Sequence, residues 1–389
     1  MPSNLPATAL LWPSFAGAPN ADRDLGSPMP LRPLTTQIVG SYAKPSWLVR
    51  PQRMRALDGS WWRPEAQVLQ EAREDAVRLA IYEQERAGLD LVTDGEAQRA
   101  AYDRHFLRRL TGIDSSRLER VAYPAEVKTT TYDDSGLEEY TTVSELKPRV
   151  VAEVVSQGPV AVEELRFLKR HARRPVKANI VGPISLFGQL IDEFYGDERA
   201  LIMALAAALN EELLALSASG ADVLQIDEPG IHFHLSLARR FVREAIARVV
   251  QGVETPVIVH VCYGYAFVMR QKAASPTYPE VLELLADCPI AGISLEYEQP
   301  RHEPSLLKHC GQKHVIVGLL DLGTSEAETA GHVAERLRAA LEIVPPERLH
   351  PSSDCGMWFL PRDLAYGKIT ALVEGTRIIR RELGRLAEP

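Results

Sequence analysis

The chain has 389 residues, 46% of them hydrophobic and 25% charged, which suits a large core inside a single barrel with insertions. A net charge of -8 argues against nucleic acid as the main partner, because phosphate-binding surfaces are basic. No apolar run reaches the ~18 residues expected of a membrane span, and four cysteines without disulfide spacing point to a reducing, cytoplasmic setting.

Residues 1–33 are rich in Pro, Ala and Ser and read as a flexible arm. Their apolar stretch Ala7–Ala18 is interrupted by Pro13 and has no basic start, so it is a poor signal peptide. From residue 34 to 389 the pattern is that of one catalytic domain. Eight short apolar segments recur: Thr36–Ser41, Asp90–Thr93, Val176–Val181, Asp222–Ile226, Pro256–Val261, Ala291–Leu295, His314–Leu320 and Arg348–Ser353. Several are continuously apolar and rich in Val and Ile, as strands buried on both faces are. Amphipathic helices are predicted over Ala66–Ala87, Glu198–Ser219 and Ser325–Glu342, the last with Thr324-Ser325 as its N-cap region. Strand alternating with helix eight times predicts a (β/α)8 barrel of the α/β class. Residues 112–157 interrupt the pattern between the second and third strands. Within Lys128–Gly136 and Tyr140–Val143, β-branched runs flank the Ser135-Gly136 turn and predict a hairpin-like insertion, suited to a lid or a subunit contact in a homo-oligomer.

The chemistry-bearing residues fall where these strands end. They are Gly40-Ser41, Asp94-Gly95-Glu96, Gly182-Pro183, Asp227-Glu228-Pro229, His260-Val-Cys262, Glu296, Asp321 and Asp354-Cys355-Gly356. In a parallel barrel that rim carries the reaction. His260 and Cys262 are two apart on an extended strand and point the same way, so both reach one ion. Glu296 and Cys355 complete a tetrahedral zinc set, with Glu298 a competitor for the carboxylate position. Glu96 and Asp227 suit a clamp for a substrate ammonium or acid–base work, and Glu228 suits either part. Their alternative is a set of salt bridges with Arg99, Arg104 or Arg108. Ser41 either meets a substrate carboxylate or belongs to a plain strand-to-loop turn. Asp321 joins Glu96 and Asp227 as a catalytic candidate. His232 and His234 read as loop or supporting residues, and His302, His309 and His314 as surface or packing residues.

With these anchors in place, the chain resembles the C-terminal catalytic barrel of cobalamin-independent methionine synthases, in the short single-barrel form, from about Leu34 to Leu383. The motifs are Thr36-Gln-Ile-Val-Gly-Ser41, Thr93-Asp-Gly-Glu96, Val181-Gly-Pro183, Gln225-Ile-Asp-Glu-Pro229, His260-Val-Cys-Tyr263, Ile293-Ser-Leu-Glu296 and Asp354-Cys-Gly356. The resemblance implies zinc held by His260, Cys262, Glu296 and Cys355. It implies the homocysteine amino group on Glu96 and Asp227, and its carboxylate at Gly40-Ser41. The thiol displaces Glu296 and takes a methyl group from 5-methyltetrahydrofolate. Gln189 stands where the family has a pterin-stacking Trp, and Asp321 is followed by Leu322 and Gly323 where the family has a His. These departures leave room for a corrinoid or another methyl donor, and Trp358 is the candidate replacement platform. A second function stays open. A related zinc alkyltransferase opens an epoxide with coenzyme M, and Arg99, Arg104 and Arg108 suit its sulfonate.

Overall fold

The computed structural model describes residues 32–50, 60–101, 104–122, 129–133, 136–140, 144–264 and 272–386. Nearly all of the expected N-terminal arm lies outside the described residues.

Six parallel strands form one continuous sheet in sequential order: Lys177–Val181, Val223–Asp227, Val257–Val261, Gly292–Leu295, His314–Gly318 and Leu349–Ser352. They coincide with the last six predicted segments to within two residues. The first two segments close the circle with fewer backbone bonds. The Leu34 amide donates to Leu349 O and the Gln37 amide to Pro351 O, joining the first segment to the eighth strand. The Asp90 and Leu91 amides both donate to Thr36 O, and the Val92 amide donates to Pro175 O. These two segments are not regular strands because side chains replace part of the ladder. The Asp90 carboxylate takes the Thr36 amide and hydroxyl, each at 2.9 Å, and the Thr36 hydroxyl oxygen accepts the Asp90 amide.

Alternate residues of each strand face the barrel interior. Leu91, Val223, Ile258 and Ile316 form a small apolar cluster of their own, separate from the main core. Two residues further along the same strand faces come Gln225 and His260, so this cluster is a plug beneath the polar mouth. The opposite strand faces, among them Leu224, Ile226, Val259, Val261, Ile293, Leu295, Val315 and Val317, join the main core beneath the helices.

The helices explain themselves locally. Ala66–Ala87 ends at Gly88, whose φ of 97° lies in the left-handed region that glycine occupies at little cost. Its buried Gln84 accepts the Thr93 amide and donates to Thr93 O, buckling the helix to the second barrel segment. Glu198–Ala218 starts at Asp197, whose side chain accepts the Arg199 and Ala200 amides. By length and composition this helix is apolar enough to cross a membrane, a candidate the sequence reading passed over. It buries Leu201, Leu205, Leu209, Leu213 and Leu216 in the main core, as a covering helix of a barrel does.

The third predicted helix starts later than expected, at Ala330–Leu341 with Thr329 as its cap. Polar bonds hold the preceding residues in a loop instead. The Thr324 hydroxyl bonds Asp321 O and Glu326 O, and Lys368 reaches Asp321 O, Thr324 and Glu328. Between the second and third barrel segments, Ile113–Ala122 pairs antiparallel with Ser144–Val150, which pairs in parallel with Ile191–Asp192. Thr129–Asp133 pairs antiparallel with Gly136–Tyr140 in a separate hairpin.

Candidate active site

Strand register assembles the mouth. Val181 lies opposite Asp227, Asp227 opposite His260, and His260 opposite Ser294. A carboxylate, an imidazole and a hydroxyl therefore stand side by side on one face. Cys262 follows one strand and Cys355 another.

The ligand atoms of His260, Cys262 and Cys355 all lie within 4.8 Å of one another, and all three residues are buried. The His260 Nδ1 meets the Ser294 Oγ at 3.0 Å, while Nε2 is buried with no hydrogen-bond partner among the described residues. One nitrogen is anchored and the other is presented, which is how a metal-binding histidine is held. The two thiols share a hydrogen bond. It draws the Cys262 thiol down, with help from His260, and pushes Cys355 up.

Glu296 stands outside this group of three. Its Oε1 accepts from Lys272 Nζ at 2.7 Å and from the Tyr263 amide at 3.2 Å. Its Oε2 is buried without a partner among the described residues. The competitor Glu298 is already committed, to His332 at 2.8 Å and to Arg336 at 2.6 Å. The buried Asp354 accepts the amides of Tyr297, Glu298 and Gln299, so it fixes the loop just beyond Glu296. Burial raises its carboxyl to about 7 even against those three donors.

The other half of the mouth gathers Gly40, Ser41, Glu96, Asn179 and Asp227. A Cβ on Gly40 would lie 2.4 Å from the Asn179 amide nitrogen and 2.8 Å from Glu96 Oε1, so only glycine fits there. Asp227 accepts from Gln225 at 2.6 Å and from Asn179 at 3.3 Å. Beneath them Lys177 Nζ meets Gln37, Ile38 O and Gln225, each at 2.7 Å. Desolvation lowers Lys177 to about 7 and raises Glu96 to about 7, the Asp227 charge adding to the rise at Glu96. Glu96 has a φ of 51°, a conformation rare outside glycine, in the turn whose Gly95 precedes it. The Lys44 ammonium caps the Glu96 carbonyl. The Ser41 hydroxyl is buried and has no partner among the described residues.

Three sequence expectations look different in place. Both oxygens of Glu228 accept amides, from Ile184 at 3.0 Å and Ser185 at 2.6 Å, at the start of helix Pro183–Gly188. That is an anchoring part, and burial lifts its carboxyl to about 7 despite the two donors. Asp321 Oδ1 accepts the Gly323 amide and closes a local turn, and its backbone joins the Lys368–Glu328 network. Arg99 is buried against Glu164 at 3.0 Å and donates to Asn179 O, with His105 on the other Glu164 oxygen. Arg104 donates to Leu146 O, and Arg108 bonds His105. His232 packs on Tyr263, and His302 stacks on Tyr278 with a Tyr263 hydroxyl bond of 3.0 Å. Trp358 packs edge-on against Trp61 at 5.7 Å.

Sequence reasoning did not name Lys272, Asn179 or Lys177, and it quoted Gln225 and Ser294 only within their motifs, with no part of their own. Four of them carried a signal: polar residues two apart on apolar strands, Lys177 and Asn179, Gln225 with Asp227, Ser294 with Glu296, mark a barrel interior. Lys272 carried none.

Comparison with known proteins fits this geometry. A curated methionine synthase from Saccharolobus solfataricus is 31% identical over 363 residues, covering 92% of this chain and 98% of the relative. One from Sulfurisphaera tokodaii is 30% identical, covering 90% of this chain and 94% of the relative. The B12-independent methionine synthase from Shewanella sp. W3-18-1, solved in complex with selenomethionine, superposes with a TM-score of 0.80 at 32% identity, covering 91% of this chain and 99% of that one. A putative vitamin-B12 independent methionine synthase from Listeria monocytogenes, at 21% identity and TM-score 0.67, covering 90% of this chain and 98% of that one, shares the fold. Residues 34–377 match the family described as cobalamin-independent synthase, catalytic domain, and the chain belongs to that family.

Proposed function

We propose that this enzyme is a zinc-dependent methyltransferase that moves a methyl group from 5-methyltetrahydrofolate to the thiol of homocysteine, giving methionine. The observation that carries the reading is the two-part mouth. A buried thiol, thiol and imidazole set with a free Nε2 lies one strand from a carboxylate held by two amides. The donor set suits zinc: two sulfurs and an imidazole, with Glu296 Oε2 as the fourth, replaceable atom. A zinc ion held by these residues would supply a deprotonated substrate sulfur near neutral pH.

The remaining work falls to side chains of this chain. Asp227 and Glu96 take the substrate ammonium, and the Ser41 hydroxyl with the Gly40 turn takes its carboxylate. This fixes the sulfur over the metal set. The sulfur bonds the methyl carbon while the N–CH3 bond of the donor's protonated tertiary amine breaks, and the ring nitrogen leaves as a neutral secondary amine with its proton and the electron pair. On the donor side, Gln189 Oε1 is buried with no partner and is an acceptor for a ring N–H. We give Glu228 and Asp321 positioning parts, because their carboxylates hold backbone amides. The coenzyme M alternative loses its support, since the Arg99, Arg104 and Arg108 guanidiniums are engaged with protein groups.

The experiment is zinc content followed by zinc X-ray absorption with homocysteine, with coenzyme M and with no thiol. One zinc per chain and an added zinc–sulfur contact with homocysteine alone is the expected result. A response to coenzyme M alone, or no zinc uptake, overturns the reading.

A further inference from the structure

The Lys272–Glu296 pair lies beside the metal set, and both side chains are fully buried. Lys272 Nζ is fixed from a second side by Gly264 O at 2.5 Å, in the turn two residues after Cys262. Glu296 Oε1 thus has two donors, Lys272 and the Tyr263 amide, while Oε2 has none. A carboxylate that leaves a cation in a dry site must find another partner, because an unpaired buried charge is strongly disfavoured. The His260, Cys262 and Cys355 group already lies together without Glu296.

The geometry points to Lys272 as the seat to which Glu296 withdraws when the substrate thiol takes its place. This rests on the metal reading above. Lys272 touches neither substrate nor the reacting atoms, so it is a positioning residue. It makes Glu296 the ligand that can be exchanged, because the carboxylate keeps a charged partner in either position. The two sulfurs and the imidazole have no comparable partner. The Ser294 hydroxyl anchors His260 at Nδ1, and the hydrogen-bond partners of Cys262 Sγ include Cys355 and the Gly264 amide, at 3.4 Å, neither of them a cation.

The test uses the full zinc-loaded chain and Lys272→Met, with X-ray absorption of zinc as the readout. Both proteins are expected to hold one zinc with two sulfurs in the absence of thiol. Homocysteine adds a third sulfur to the wild type. In Lys272→Met the homocysteine concentration needed for that change rises by about 10- to 100-fold, the size expected for loss of an outer partner. KM for homocysteine rises with it, while the zinc content stays at one. Lys272→Gln, which keeps a donor without the charge, gives the same comparison if the Met variant does not fold. A variant that takes up the third sulfur as readily as the wild type overturns the role of Lys272. So does a variant that loses zinc while its thiol response per zinc is unchanged, which marks a loop anchor only. A wild type that binds no zinc overturns the metal reading itself, and is seen without any variant.

Discussion

The two halves of the barrel mouth are built on opposite principles. On the strands bearing His260 and Cys262, Glu296 and Cys355, buried polar atoms are left without partners: His260 Nε2 and Glu296 Oε2. On the strands bearing Asn179, Gln225 and Asp227, the acceptors are already supplied, with Gln225 and Asn179 on Asp227 and Lys177 beneath. A buried polar atom without a partner costs free energy, so such atoms persist where a bound group repays them. The first half therefore has the free donor atoms that the proposed ion needs. The second is a charged surface in which the Ser41 hydroxyl is buried without a partner among the described residues.

Cysteine variants test the first half most severely. Cys355→Ser removes one sulfur of a buried set and should abolish zinc retention. Turnover should fall by at least about a thousandfold, since the activated thiol is lost with the ion. Zinc analysis and circular dichroism on the same sample separate loss of metal from loss of fold. A variant with full metal and turnover contradicts the ligand assignment.

Asp227→Asn strikes the second half and should leave zinc in place. Asn would turn its NH2 toward one of two donors, Gln225 or Asn179, and lose the charge facing the substrate ammonium. KM for homocysteine should rise about 100-fold, in the range for breaking a buried charged contact. If zinc falls while KM holds, the two halves are not separable as described. Ser294→Ala returns to the first half with a milder cut. His260 loses its Nδ1 anchor, and zinc affinity measured by chelator competition should drop by roughly tenfold. An unchanged affinity would mean that the strand alone orients the ring.

The sequence made the first half far more legible than the second. His260-Val-Cys262 alone is a weak signal, because a buried thiol beside a structural histidine is the commoner reason for it, and Cys355-Gly356 at another strand end is what gave it weight. The last six strands were visible as short apolar segments between helical patterns, several of them rich in Val and Ile, although Leu349–Ser352 has neither residue. The first two were found as segments, but not their irregularity, because Thr36 and Asp90 exchange side-chain bonds that no periodicity reveals. Glu228 and Asp321 looked as available as Asp227. What separates them is which backbone amides they meet, a matter of tertiary approach. Lys272 was invisible for the same reason, being an isolated lysine brought to Glu296 from 24 residues away.

Glu96 offers the finest cut, because burial and the neighbouring Asp227 charge raise it to about 7. The sign follows directly. Below pH 7 the carboxyl holds its proton and offers no charge to an ammonium; above pH 7 it is ionised and binds one. Homocysteine is a poor probe, since its own thiol titrates. Norleucine carries the ammonium and carboxylate without sulfur, so its affinity reports the clamp alone. Between pH 6 and pH 8 its affinity should rise by up to about tenfold, as one group with a midpoint near 7 ionises. Glu96→Gln should bind more weakly at pH 8 and lose the slope, with zinc content unchanged. A slope that survives the substitution would move the titrating group from Glu96 to its coupled neighbour, Asp227 or Lys177. The clamp would then work as a shared-proton cluster rather than as a single carboxylate beside a fixed one.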